Sequence, residues 1–136
     1  MLKLTEKEKA DYADLLRGSM ETSPDITEDY FNILSEVQIT EVYVEGRDGY
    51  QIPVWLMQPK DSATSGFLFI NIHGGGFVRP HSRFDSAYCA TLVKRLGCTL
   101  IDVDYRLAPE YPYPTGLNDA YDVYKWALSH AMELGV

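Results

Sequence analysis

Three consecutive glycines, Gly74-Gly75-Gly76, follow the nearly continuous apolar run Phe67-Leu68-Phe69-Ile70-Asn71-Ile72. Lacking Cβ atoms, their backbone N–H groups can turn toward a bound atom and approach it closely. Two chemistries use such a loop. One is an anion cradle for a nucleotide phosphate. The other is an oxyanion hole, which stabilises the negative oxygen of a tetrahedral intermediate in acyl transfer. The nucleotide reading fits poorly, because no Gly-Lys-Ser/Thr follows and the triplet lacks Gly-x-Gly-x-x-Gly spacing. A plain tight turn is the third reading.

Other reactive side chains are scattered. His81 adjoins Ser82, and Ser129 adjoins His130. Neighbours on a helix point in different directions, and a nucleophile and its base must converge in space, so neither pair reads as a catalytic couple. Cys89 and Cys98 have no zinc-like spacing and read as buried packing. Asp104, Arg106 and Glu110 flank a loop stiffened by Pro109, Pro112 and Pro114, where charges more often hold backbone than perform catalysis. Tyr105, Tyr111 and Tyr113 read as packing of that loop, with a pocket-lining role second.

Elements must position these residues. Thr5 and Glu8 form a capping box that starts a helix running to about Arg17 and stopping at Gly18. Ser23-Pro24 is a second start signal, for a helix carrying Ile26, Tyr30, Ile33 and Leu34 on one face. Val37 to Val44 and Gln51 to Met57 are β-forming stretches around the turn cluster Glu45-Gly46-Arg47-Asp48-Gly49, which predicts an antiparallel hairpin. The run 67–72 suits a strand buried on both faces. A helix over about 85–96 closes at Gly97, and Thr99 to Val103 is another buried strand. A final helix over about 115–131 places Leu117, Ala120, Tyr121, Tyr124 and Leu128 on one face. Strand, glycines, helix, strand is the order of a right-handed crossover in a parallel sheet.

The 136 residues are 46% hydrophobic and 24% charged, which suits one folded domain. The net charge of −8 argues against a nucleic-acid partner. No apolar run approaches the roughly 20 residues of a membrane helix. The N-terminus opens into charge, so no signal peptide is predicted, and a cytoplasmic location is expected.

His73-Gly74-Gly75-Gly76-Phe77, then Asp104-Tyr105-Arg106-Leu107-Ala108-Pro109-Glu110, a proline-rich turn, Asp119 and Trp126 resemble the hormone-sensitive-lipase-like carboxylesterases of the α/β-hydrolase fold. The resemblance covers roughly residues 38–136. It implies an α/β fold: a cap of N-terminal helices over 1–36, and over 37–136 the first half of a hydrolase sheet, an antiparallel hairpin beside parallel strands. Leu15, Leu16, Tyr30 and Phe31 of the cap would contact acyl chains. It implies that Gly75 and Gly76 donate to the oxyanion, and that His73 and Gly74 shape the loop. Asp104, Arg106 and Glu110 would form an ion-pair network beside it, with Asp119 near the start of the last helix. The implied reaction is hydrolysis of a short-chain carboxylic ester, a small-molecule substrate, with no cofactor and no metal. The family's Gly-x-Ser-x-Gly is missing, so the serine, acid and base are expected past Val136, and this chain alone is expected to be inactive. A non-catalytic binding or assembly role and a nucleotide-binding module are the alternative readings. With the next strand missing, the strand before His73 is an open edge, and self-association or pairing with the remaining half is expected.

Overall fold

The structure, a computed structural model, describes residues 3–18 and 27–136. Helix α1 spans Glu6–Gly18, and α2 and α3 span Arg83–Leu96 and Thr115–Ser129. Strands β1 to β4 are Val37–Glu45, Gln51–Pro59, Leu68–Ile72 and Thr99–Val103. They form one sheet in the order β1-β2-β4-β3. The hairpin β1–β2 is antiparallel, β2 runs antiparallel to β4, and β3 and β4 are parallel. The α/β architecture therefore matches the expectation, with α2 as the crossover.

Local chemistry sets the ends of these elements. The Thr5 backbone N–H donates to Glu8 Oε2 at 2.7 Å, and the Glu8 N–H donates to Thr5 Oγ1 at 3.3 Å, which is the capping box read from sequence. A second box starts α2, between Ser82 and Asp85. Gly97 closes α2 in the left-handed region at φ 64°.

Two apolar layers cover the sheet. Val44, Ile52, Val54, Ile101 and Val103 face Val123 and Ala127 of α3. Val37, Met57 and Leu100 face Cys89, Ala90 and Val93 of α2. Adjacent β4 residues thus point into opposite layers, as strand geometry requires. Both cysteines are free and fully buried, as expected.

Three elements differ from their sequence reading. Strand β3, read as buried on both faces, has no fully buried residue, and Phe69 and Ile72 are exposed, because among the described residues it has a neighbouring strand on one side alone. The segment after residue 27 is a 3₁₀ helix, Glu28–Glu36, and not an α-helix. With three residues per turn, Phe31, Leu34 and Val37 fall on one side, and Phe31 and Val37 are buried. Ser23, Pro24 and Ile26 lie outside the described residues. In α3, Leu117, Tyr121, Tyr124 and Leu128 are exposed, and of the expected apolar face only Ala120 is buried. The buried face holds Gly116, Asp119, Ala120, Asp122, Val123 and Ala127. Small residues let the helix approach closely: a Cβ on Gly116 would meet the Arg106 carbonyl oxygen at 2.8 Å.

Candidate functional site

The glycine loop leaves the carboxyl end of β3, the end at which open α/β sheets bind ligands. Gly75, Gly76 and Phe77 have φ of 130°, 62° and 62°. Such values suit glycine and are uncommon for a residue like Phe77. A Cβ on Gly75 would run into the Cβ of Arg79, whereas one on Gly74 would meet nothing. The Gly75 carbonyl accepts from the N–H groups of both Val78 (3.1 Å) and Arg79 (3.0 Å), which tightens the turn. The loop is exposed from Gly74 to Phe77. Among the described residues, the N–H groups of Gly75, Gly76 and Phe77 donate to no protein acceptor.

His73 sits buried under this loop. Its ring stacks on Tyr105 with centroids 4.4 Å apart, and the Tyr105 hydroxyl donates to the His73 carbonyl at 2.7 Å. His73 Nδ1 lies 3.0 Å from the Gly74 carbonyl oxygen. A carbonyl only accepts, so Nδ1 carries the proton. That leaves Nε2, which is buried without a partner. Tyr105 therefore packs the loop, as read from sequence. Tyr113, by contrast, is exposed and lines a crevice with Leu4, Tyr12 and Ala13 of the N-terminal segment.

The proline loop carries Asp104, Arg106 and Glu110, but the three do not form one network among themselves. Arg106 makes a three-bond clamp on Asp119: its backbone N–H and Nε donate to Oδ2 at 3.0 Å, and Nη2 donates to Oδ1 at 2.7 Å. Arg106 also pairs with Asp48 of the hairpin turn at 2.8 Å. Its guanidinium lies over the Tyr50 ring, 4.2 Å from the centroid. The Asp119 hydrogen bonds raise the Arg106 pKa further above its ordinary value. Glu110 turns the other way, to Arg17 of α1, and the Arg17 hydrogen bond holds its carboxyl down at about 2. Asp104 forms no salt bridge among the described residues, and burial raises its pKa, opposed in part by the nearby His81 and His73. The loop's turn is the physical reason: it carries Glu110 toward α1 while Arg106 faces α3 and the hairpin. A second arginine, Arg47 of the hairpin turn, grips Asp122 through its backbone N–H and its guanidinium, which holds that carboxyl below the usual range.

Three features near the loop escaped the sequence reading. In the first, Trp55, Asp102 and Asn71 face one another directly across β2, β4 and β3. Asp102 accepts from Asn71 Nδ2 at 2.7 Å and pairs with His81 Nε2 at 2.7 Å. The His81 ring stacks on Trp55 at 4.0 Å. Ser86 Oγ lies 3.4 Å from the same His81 Nε2. A catalytic histidine holds its acid on one ring nitrogen and its serine on the other. Here both fall on one nitrogen, so Ser86, His81 and Asp102 are a buried anchor and not a triad.

The second is Arg17, which reaches both loops at once. Nε donates to the Val78 carbonyl at 3.1 Å, Nη2 to the Ala108 carbonyl at 3.1 Å, and both Nη groups to Glu110 at 2.8 Å. The third is the pairing of the hairpin turn with α3. A sequence signal existed for this one: Asp119 and Asp122 are three apart, so they share a helix face, and the nearest turn carries Arg47.

A profile of the alpha/beta hydrolase fold matches residues 69–136. The chain belongs to this family. It is 35% identical over 100 residues to ethyl acetate hydrolase of Pseudomonas putida, covering 72% of this chain and 31% of that protein. It is 38% identical over 78 residues to human hormone-sensitive lipase, covering 57% and 7%. Among solved structures, a hyperthermophilic esterase from the archaeon Pyrobaculum calidifontis superposes with a TM-score of 0.74 at 29% identity, over 91% of this chain and 40% of that one. A thermostable carboxylesterase cloned from a metagenomic library gives 0.70 at 32% identity, covering 91% and 41%. The chain thus resembles the hormone-sensitive-lipase-like branch, and it spans well under half the length of these relatives.

Proposed function

We propose that this chain is the oxyanion-hole-bearing part of a serine carboxylesterase that hydrolyses short-chain carboxylic esters through an acyl-serine intermediate. The observation that carries the reading is the unpaired, exposed N–H groups of Gly75 and Gly76, on glycine-favouring backbone at the end of β3. Donors held in place before the reaction stabilise the oxyanion without reorganising. His73 and Gly74 keep the loop in shape, and the buried His73 ring is not the base. The relatives named for ethyl acetate and carboxylic esters support the substrate class. They favour neither a nucleotide-binding module nor a non-catalytic role.

In this reading the nucleophile, acid and base come from outside residues 1–136. A fluorophosphonate probe should label a serine elsewhere in the full-length protein, and the 136-residue chain should neither label nor turn over a chromogenic acetate ester. Unique labelling within the chain, at Ser86 for instance, overturns this.

We also propose self-association of the isolated chain, or pairing with the rest of the hydrolase domain, through the β3 edge. Among the described residues, β3 bonds only to β4. Phe67, Phe69 and Ile72 on and beside it are exposed, as is the Leu117, Tyr121, Tyr124, Leu128 face of α3. An open apolar edge offers unpaired backbone groups to another strand. Sedimentation of the chain across a dilution series should show reversible oligomers. A monodisperse monomer with one cooperative denaturant transition sinks the proposal. Among the described residues no helix is long and apolar enough to cross a membrane. A cytoplasmic setting belongs to this proposal and is supported by the two free, buried cysteines.

A further inference from the structure

Helix α1 is lightly held. Ala13 is its only buried residue, and Tyr12 and Leu15 are exposed. Its firm attachment is the Arg17 guanidinium in its last turn. Arg17 closes a ring of hydrogen bonds around the glycine loop. It donates to the carbonyls of Val78 and Ala108, and the Ala108 N–H in turn donates to the Phe77 carbonyl at 2.8 Å. The Val78 N–H reaches back to the Gly75 carbonyl. The peptide unit that carries the Gly76 N–H, one of the two proposed donors, is thus held through its Gly75 carbonyl by Val78 and Arg79, and the two peptide units that follow Phe77 and Val78 are held in turn by Ala108 and Arg17. Glu110 accepts two bonds from the same guanidinium and holds its plane.

We propose that Arg17 is a positioning residue: docking of α1 through its guanidinium sets the glycine loop in the geometry that receives the oxyanion. The inference rests on the oxyanion-hole reading. It makes α1 a strap whose engagement determines turnover, in addition to any part it takes in covering the site.

Lysine cannot reproduce the planar fork that serves Val78, Ala108 and Glu110 together. In the full-length protein, Arg17→Lys and Arg17→Ala should therefore both lower kcat, with KM little changed. A fall of about 100-fold is the scale expected when a catalytic group shifts by about 1 Å. Added methylguanidinium should restore part of the turnover of Arg17→Ala. Amide hydrogen exchange at residues 75–79 should quicken in both variants, while exchange in β2 and β4 stays as in the parent. Gly75→Ala, measured in parallel, separates the two ideas. If Gly75→Ala loses turnover and Arg17→Ala keeps it, the strap is wrong and the oxyanion hole stands. If Gly75→Ala keeps turnover, the oxyanion-hole reading itself fails. A rise in KM with kcat unchanged would make Arg17 a substrate-binding feature and overturn the proposal.

Discussion

Gly75→Ala in the full-length protein is expected to lower kcat by about 100- to 1,000-fold, the usual effect of losing one oxyanion donor. The new Cβ would collide with Arg79 Cβ, on backbone at φ 130°. Arg79 has little room to yield, because its guanidinium is tied to Asp85 at 2.9 Å. The peptide units around residue 75 must therefore rotate, and their N–H groups with them. Gly74→Ala, one residue away, is expected to stay near parent activity, since its backbone is unexceptional and the space is open. Gly76→Ala falls between, with positive-φ strain but no collision; such strain costs about 1–3 kcal/mol. Because the interaction forms only in the transition state, KM should move much less than kcat. Steady-state kinetics on an acetate ester, with circular dichroism to confirm folding, ranks the three. Equal turnover for Gly74→Ala and Gly75→Ala would refute the assignment.

Asp119→Ala is expected to be the most destabilising single change on the polar face of α3. Asp119 is 1% exposed and the Arg106 side chain 10%. Removing one member of a buried pair strands the other, at a cost of about 3–5 kcal/mol. Small domains have about 5–15 kcal/mol in total. Asp48 still faces Arg106 at 2.8 Å, but it sits on the half-exposed hairpin turn and compensates only in part. The comparison is Arg83→Ala, which breaks the exposed Arg83–Glu28 pair, where about 0–1 kcal/mol is typical. Urea midpoints at constant slope measure both. If Asp119→Ala shifts the midpoint no further than Arg83→Ala, the buried clamp is not a major support of the fold.

Local signals made most of the fold readable in the sequence. Thr5, Glu8 and Gly97 set helix ends through hydrogen bonds made within a few residues. The run of β-formers around 46–49 sets the hairpin. The glycine triplet and the stretch 104–110 were legible because a loop at a strand end depends on residue type alone. Long-range pairing was not legible. Arg17 and Glu110 are 93 positions apart, and His81 and Asp102 are 21 apart. No periodicity reports which loop curls toward which helix. The family resemblance groups Glu110 with Arg106, whereas the proline turn sends them in opposite directions. The outer face of α3 misled for a different reason. Its large apolar residues suggest core, yet the sheet accepts only the small side of the helix, with its two carboxylates tied to Arg106 of the proline loop and Arg47 of the hairpin turn.

The Trp55, Asp102, Asn71 row bears on how the sheet is assembled. All five residues of β4 are buried, so an alternation of apolar and polar positions cannot tell this strand which way up to lie. Leu100 and Ile101 would each be content in either layer. Asp102 would not. Shifting β4 by one position turns every side chain over. The carboxylate would then enter the mostly apolar layer of Val44, Val123 and Ala127 and leave its partners Asn71 and His81 behind. A stranded buried charge costs several kcal/mol, comparable to the whole margin of a small domain. One acidic residue thus acts as a proofreading mark: it rejects misaligned sheets that the greasy residues around it would tolerate. The aligned sheet is also the one in which the His81 ring stands edge-on to His73, with centroids 5.7 Å apart, at the base of the glycine loop.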